Sequence, residues 1–197
     1  MQGANLIQTR GKEEEHKMNN SLLYNSFNEY IIQKNYIDVD VGGDLNASIN
    51  GIPISISDEL LYILRYQDFL SDGYEILKIE NIKALDYSKT CQYFENIVKQ
   101  EGALALLHQA PVVNISNWCK MFETLQLLNI IIIVDIGKEG CINVGKVKKV
   151  TNSTVSMLCF SPTGIWDSEE WEEPLSNISS VRFLNHYTSI FKKYLND

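Results

Sequence analysis

Few side chains in this sequence are suited to acid–base or nucleophilic catalysis, and those few are far apart. The histidines are His16, His108 and His186, and the chain has no G-x-S-x-G, H-E-x-x-H, G-x-x-x-x-G-K-S/T or G-x-G-x-x-G pattern. Such patterns place a nucleophile, a metal ligand or a phosphate at a defined turn or helix. We therefore expect a protein that is not an enzyme. The alternative is an enzyme with an unrecognised site near His108.

A metal or cofactor site is also not expected. Asp38, Asp40 and Gly43 occupy the first, third and sixth positions of a calcium-loop pattern, but Gly42 is fifth and Ile49 is twelfth, where a bidentate glutamate is needed. The alternation of apolar and acidic residues is better explained by a strand with one buried and one solvent-exposed face. The four cysteines form no C-x-x-C pair and are expected to be reduced thiols.

The stretch GIWDSEEWEEP, residues 164–174, combines tryptophans with acidic side chains. Tryptophan and tyrosine are common interface anchors, and surrounding carboxylates select a basic partner. The stretch DFLSDGYEI in the first half of the chain has the same character. The predicted partner-binding residues are Trp166, Trp171, Glu169, Glu170, Glu172, Phe69 and Tyr74. The alternative is structural, with these aromatic residues covering the open end of a barrel.

The overall charge argues against nucleic acid and membranes as partners. The 197 residues include 17 basic and 25 acidic side chains, a formal net charge of -8, which repels phosphate backbones and anionic lipid. A local basic patch, Lys146, Lys148 and Lys149, leaves RNA as the alternative partner. Neither a signal core nor an apolar run of roughly 20 residues is present, and we expect a cytoplasmic protein. The sequence leaves the oligomeric state open.

The chain repeats itself at an offset of 94 positions. The identical pairs are Glu29 and Glu123, Asn35 and Asn129, Gly51 and Gly145, and Tyr93 and Tyr187. Between the last two pairs the register slips by two, so that Glu80–Ile82 matches Ser176–Ile178, as a short insertion between strands would cause. The order of predicted elements agrees as well, which supports an internal duplication.

Each half begins with a helical period and continues with alternating strands. Ser21 and Ser116 are plausible helix N-caps, and YIDVDVGGDLNASI and IIIIVDIGKEGCINVGKVKKV have the alternation and glycine turns of hairpins. About five short strands and a closing helix per half predict a small closed or half-closed β-barrel. The predicted organisation is a disordered leader at 1–20, a first helix-plus-barrel repeat at 21–100, an apolar joint at 101–113 that packs between the halves, and a second repeat at 114–197.

The second half resembles a Sm-like or SH3-like barrel. The first Sm motif is matched by the apolar strands Ile131–Val134 and Val155–Leu158 and by Gly137 and Gly145. Nearly the whole chain after residue 20 is similar to a set of uncharacterised bacterial proteins with two such barrels in tandem. The matching residues are Asp72, Gly73, Tyr74, Leu77 and Ile79, then Tyr187, Phe191 and Leu195. The Asp, Asn and Arg-Gly residues with which Sm proteins hold RNA bases are not retained, so the resemblance implies a fold and no function.

The sequence thus predicts a mainly β protein with flanking helices (α+β), built as two tandem small Sm-like or SH3-like barrels. Its predicted function is non-enzymatic binding of a basic protein partner through the acidic aromatic loop. One version of this role is an immunity protein that masks the basic, nucleic-acid-binding face of a toxin. The alternatives are an RNA-associated Sm-like protein using the lysine-rich strand, and an enzyme with a site between the barrels.

Overall fold

A computed structural model describes residues 24–42, 47–137 and 142–195. The strands are β1 Ile37–Val41, β2 Ala47–Ile56, β3 Leu60–Gln67, β4 Leu70–Lys78, β5 Ile82–Asp86, β6 Ile132–Asp135, β7 Ile142–Val150, β8 Thr154–Cys159, β9 Trp171–Pro174 and β10 Ser180–Phe183. The helices are α1, described over residues 24–33, α2 Lys89–Gln100, α3 Ala103–His108, α4 Trp118–Leu128 and α5 His186–Tyr194. The predicted leader, His16 and the N-cap Ser21 lie outside the described residues. The prediction of a mainly β, α+β protein is confirmed.

All ten strands belong to one antiparallel sheet in the order β5-β1-β2-β3-β4-β10-β6-β7-β8-β9. The two halves of the chain meet at the seam, which we define as the pairing of Tyr74–Leu77 in β4 with Ser180–Phe183 in β10. Because β4 pairs with β10 and not with β5, the sheet is not closed. Two separate closed barrels are therefore not observed, and β5 and β9 remain as the edges.

The two halves share their central strand register. Gly51 lies opposite Arg65 in the β2–β3 pair, and Gly145 lies opposite Cys159 in the β7–β8 pair, so both partners are 94 positions later in the second half. The ladders are interrupted at matching places, between Pro53 and Ser55 and between Val147 and Lys149. A Cβ at either glycine would collide with the carbonyl of Leu64 or Leu158. This close approach explains why both positions are glycine.

The predicted offset does not hold at the start of each half. Ile37 of β1 lies opposite Gly51, whereas Ile132 of β6 lies opposite Gly145, so these strands are related by 95 positions. Lys34 and Asn129, which follow α1 and α4, both have a positive φ, at 55° and 49°. The Glu29–Glu123 and Asn35–Asn129 identities are therefore not structurally equivalent. The change of offset means that the first half has one more residue between these paired positions, from Ile37 to Gly51, than the second half has from Ile132 to Gly145.

The predicted slip of two residues is confirmed later in the chain. Leu60 lies opposite Lys78 in the β3–β4 pair, and Thr154 lies opposite Pro174 in the β8–β9 pair. The 3-10 turns that follow, Ile79–Asn81 and Leu175–Asn177, keep this offset of 96. The extra residues lie in the β8–β9 connection, which contains the acidic aromatic stretch.

The predicted joint packs against the seam. The rings of Tyr62, Tyr74 and Phe183 form one cluster with centroids 5.7 to 5.9 Å apart, in which Phe183 stacks on both tyrosines. The Tyr74 hydroxyl donates to the Leu106 carbonyl (3.0 Å), and the Tyr62 hydroxyl donates to the Pro111 carbonyl (3.3 Å). Residues from both halves therefore form one continuous core beneath α3 and the joint.

The start of α4 corrects one local prediction. Its N-cap is Asn117, whose side chain accepts a hydrogen bond from the Lys120 amide (2.9 Å). Ser116 lies one residue earlier, and its amide donates to the Asn114 side chain. Asparagine caps helices as well as serine does, and sequence alone does not choose between adjacent capping residues.

Candidate functional site

Trp166 lies in the long connection between β8 and β9. Its backbone forms an isolated bridge with Phe160, and the two rings meet edge to face with centroids 5.3 Å apart. The Lys146 ammonium lies 5.6 Å from the centroid of the Trp166 ring, which is within the range of a cation–π contact. The half-buried indole is therefore fixed against β7, with part of its surface open to solvent.

The other predicted aromatic residues contribute less to an exposed surface. Trp171 lies opposite Met157 and packs against the core. Phe69 is 41% exposed, but its ring rests edge to face on Phe94 of α2, with centroids 4.8 Å apart. Tyr74 is buried in the seam, so its assignment to a partner surface is wrong. It is covered because β10 pairs along this side of β4.

The carboxylates of the connection fall into two groups. Glu169 and Glu170 are exposed. Glu172 accepts a hydrogen bond from the buried Ser156 hydroxyl (3.2 Å), and Glu173 accepts one from the Asn177 side-chain amide (2.6 Å). The first pair is therefore available to a partner, whereas the second pair also holds β9 onto its surroundings.

The lysine-rich strand does not form an isolated basic patch. Lys146 contacts Trp166, and Lys148 and Lys149 are exposed on β7. Lys149 lies opposite Ser156, which lies opposite Glu172 on β9. Neighbouring strands are about 4.8 Å apart, so these lysines lie only about 10 Å from the acidic edge. A polyanion on this strand would meet the carboxylates of β9.

No catalytic group is assembled where the sequence suggested one. His108 is exposed at the end of α3 and lines neither of the two cavities of the described structure discussed below. Burial, reinforced by the Asp167 carboxylate, raises the pKa of the Cys159 thiol to about 11. This thiol is therefore protonated near neutral pH and is a poor nucleophile. His186, the first residue of α5, is exposed at the mouth of the larger cavity.

The larger cavity, of about 830 Å³, was not predicted from the sequence. It opens where the two halves meet, and Arg182 of β10 lines it. Arg182 and Arg65 both interrupt otherwise apolar strands, which was the one signal in the sequence for a polar function there. A smaller cavity, of about 330 Å³, is lined by Lys146, Trp166 and Lys192.

Two further classes of function find no support in the described residues. Across 24–42, 47–137 and 142–195, no three His, Cys, Asp or Glu side chains are grouped as a metal site. None of the helices in those ranges is both long and apolar enough to cross a membrane.

A scan against protein-family models gave no match, and searches of curated proteins and of solved structures found nothing significantly similar.

Proposed function

We propose that this protein is a non-catalytic binding protein that holds a basic segment of a protein partner along β9 and the β8–β9 connection. The observation that carries the proposal is the exposed pair Glu169 and Glu170 beside the half-buried Trp166, at a free edge of the sheet. An edge strand offers unpaired backbone groups to an extended segment. The carboxylates supply charge complementarity, and the indole supplies an apolar anchor.

An immunity-type role is one form of this activity. A toxin that acts on nucleic acid carries a basic face, and an acidic edge strand of this kind would cover it. The net charge of -8 would also speed the encounter of the two proteins.

We also propose that each half is a five-strand unit of the Sm-like or SH3-like type, and that the two units arose by duplication. The support is the repeated strand order, β5-β1-β2-β3-β4 and β10-β6-β7-β8-β9, and the repeated register around Gly51 and Gly145. In this interpretation the partner surface arose in the second unit, where the β3–β4 turn became the longer β8–β9 connection.

The test uses charge reversal with a matched control. The variant Glu169→Lys with Glu170→Lys changes the proposed surface, and Asp58→Lys with Glu59→Lys makes the same change at the exposed β2–β3 turn. The probe is a fluorescein-labelled lysine-rich peptide, followed by anisotropy at physiological salt. We expect the first variant to weaken binding by about tenfold or more, and the control to weaken it by less than about threefold. Equal losses would mean diffuse charge attraction and would contradict a defined surface.

RNA binding is the second candidate function, favoured by the smaller cavity, where two lysines flank an indole. Such a site suits a stacked base with a nearby phosphate. Lys146→Gln with Lys192→Gln should then weaken binding to a labelled single-stranded RNA, and affinity should fall steeply with salt. Absence of RNA retention at low salt would remove this candidate.

A further inference from the structure

The larger cavity lies between elements of both halves. Its walls are the end of the β3–β4 hairpin, strands β6, β7 and β10, the β8–β9 connection and the first residues of α5. A volume of about 830 Å³ falls within the range of small-molecule sites, roughly 300–1,000 Å³. The cavity therefore has room for a ligand of ordinary metabolite size.

Arg182 is the cationic side chain of the cavity lining that makes no direct ion pair in the described structure. It lies between Glu75 of β4 and Ile133 of β6 in the sheet and is partly buried. The buried Glu75 is engaged by the Arg65 guanidinium (2.6 Å), which also lies 3.7 Å from Asp72. Within the described ranges, neither a hydrogen bond nor an ion pair engages the Arg182 guanidinium.

A partly buried guanidinium without a partner loses hydration and gains no compensating bond. Arg65 engages one oxygen of Glu75 and also lies near Asp72. In the described structure neither carboxylate accepts a hydrogen bond from Arg182, although their charge partly offsets that of Arg182. An anionic group entering the cavity would supply the missing partner, and a guanidinium binds such groups with two parallel hydrogen bonds.

The other residues that line the cavity indicate the chemical character of the rest of the ligand. Apolar side chains of β7 and the β8–β9 connection, Ile142, Val144 and Phe160, form one side. Asn143 and His186 add polar groups at the cavity lining. The first turn of α5 also faces the cavity, and its positive end favours an anion. Asp72 and Asp167 also line the cavity and limit the negative charge that the site tolerates, so a single anionic group fits better than a polyanion.

We infer that this cavity binds a small organic anion, whose charged group is held by Arg182 and whose apolar body lies against Val144 and Phe160. The site is separate from the proposed partner surface, because Glu169, Glu170 and Trp166 do not line it. Its failure and the failure of the partner proposal are therefore independent.

The probe for this site is 8-anilinonaphthalene-1-sulfonate, which joins an aromatic body to one anionic group and fluoresces in an apolar environment. We expect saturable binding to the full chain. Arg182→Gln should raise the Kd by about tenfold or more, as the loss of a charge-assisted hydrogen bond predicts. Lys149→Gln removes the same charge from β7 outside the cavity and should change the Kd by less than about twofold.

A second variant and a mapping experiment keep the inference testable if Arg182→Gln fails to fold. Val144→Trp fills the cavity and should abolish binding while the thermal unfolding transition remains cooperative. Amide chemical shifts of the wild-type chain should change on titration at Asn143, Val144 and His186. Binding without saturation, unchanged affinity in Arg182→Gln, or shifts confined to other surfaces would each overturn the inference.

Discussion

Strands β4 and β9 occupy equivalent places in the two halves, yet one is central and the other is an edge. The aligned registers match the buried β4 residues Ile76 and Leu77 with the acidic β9 residues Glu172 and Glu173, and the same offset places Tyr74 with Glu170, the residue just before β9. Charged side chains on an edge strand discourage further pairing. We infer from this difference that the acidic side chains of β9, within a repeated arrangement of strands, disfavour pairing with an apolar strand and leave the edge open to a basic one.

The largest effect should follow from giving β4 the charge of β9. Ile76 is fully buried opposite Val181, so Ile76→Glu places a carboxylate in the seam without a partner. We expect the free energy of unfolding to fall by about 4 kcal/mol or more, measured by urea denaturation.

The reciprocal change is the matched control for the seam. Glu172→Ile on the exposed edge loses the hydrogen bond from Ser156 but buries no charge, so it should lower the free energy of unfolding by no more than about 2 kcal/mol. Similar losses in the two variants would show that the equivalent strands do not differ as described.

A smaller effect, on association, should follow from giving β9 the side chains of β4. The triple variant Glu170→Tyr, Glu172→Ile and Glu173→Leu makes the edge as apolar as the seam. We expect it to self-associate as concentration rises, because an apolar edge strand is open to pairing. Sedimentation velocity measures this directly.

A second triple variant, with neutral polar side chains at the same three positions, distinguishes the effect of removing charge from the effect of adding apolar surface. Replacing the same glutamates by glutamine removes the charge and adds no apolar surface, and this variant should sediment like the wild-type chain. If the apolar triple also remains a single species over the same concentrations, the acidic side chains are not what ends the sheet.

The smallest expected effect is a pH-dependent stabilisation that is present in α2, the last helix of the first half, and absent from α5, the last helix of the second half. Glu95 of α2 accepts hydrogen bonds from the Tyr36 amide (2.9 Å) and the Lys99 ammonium (2.7 Å). Burial alone would raise the pKa of Glu95, but these bonds and one from Asn35 lower it below its ordinary value. In α5 the equivalent position, counted from the helix N-cap, is occupied by Lys192.

The lowered pKa makes this contribution dependent on pH. The stabilisation by Glu95 is complete above the unfolded carboxyl pKa of about 4.3 and is lost as pH falls through the lower folded value. Glu95→Gln should therefore cost about 1 kcal/mol at pH 7, and its difference from the wild type should shrink at acid pH. Lys192→Gln should show no such dependence in denaturation measured across pH.

Local sequence patterns predicted the helices and strands of this fold but not which strands pair with each other. Alternation in β1 and β7 identified hairpins, and the identical glycines Gly51 and Gly145 occupy equivalent places in the two halves. Alternation tells which face of a strand is buried, but it does not tell which strand lies alongside. The pairing of β4 with β10 joins segments far apart in sequence, so the single open sheet could not be predicted.

The same limit explains the errors at the predicted surface. Tyr74 lies among acidic residues in the sequence, and only the seam explains its burial. Trp166 was correctly placed in a connection between strands, but its contact with Lys146 brings together positions 20 residues apart. Arg182 carried no motif, because its significance depends on Arg65 engaging the neighbouring Glu75.

The position of β10 in the sheet has a consequence for synthesis of the chain. The strand that covers β4 leaves the ribosome roughly 100 residues after β4 itself, which is a delay on the order of 5–20 s at usual elongation rates. During that interval the apolar edge of the first half is exposed with nothing to pair with. Nascent chains of this protein are therefore expected to need chaperones until β10 has emerged, although the folded sheet has an acidic strand at its outer edge.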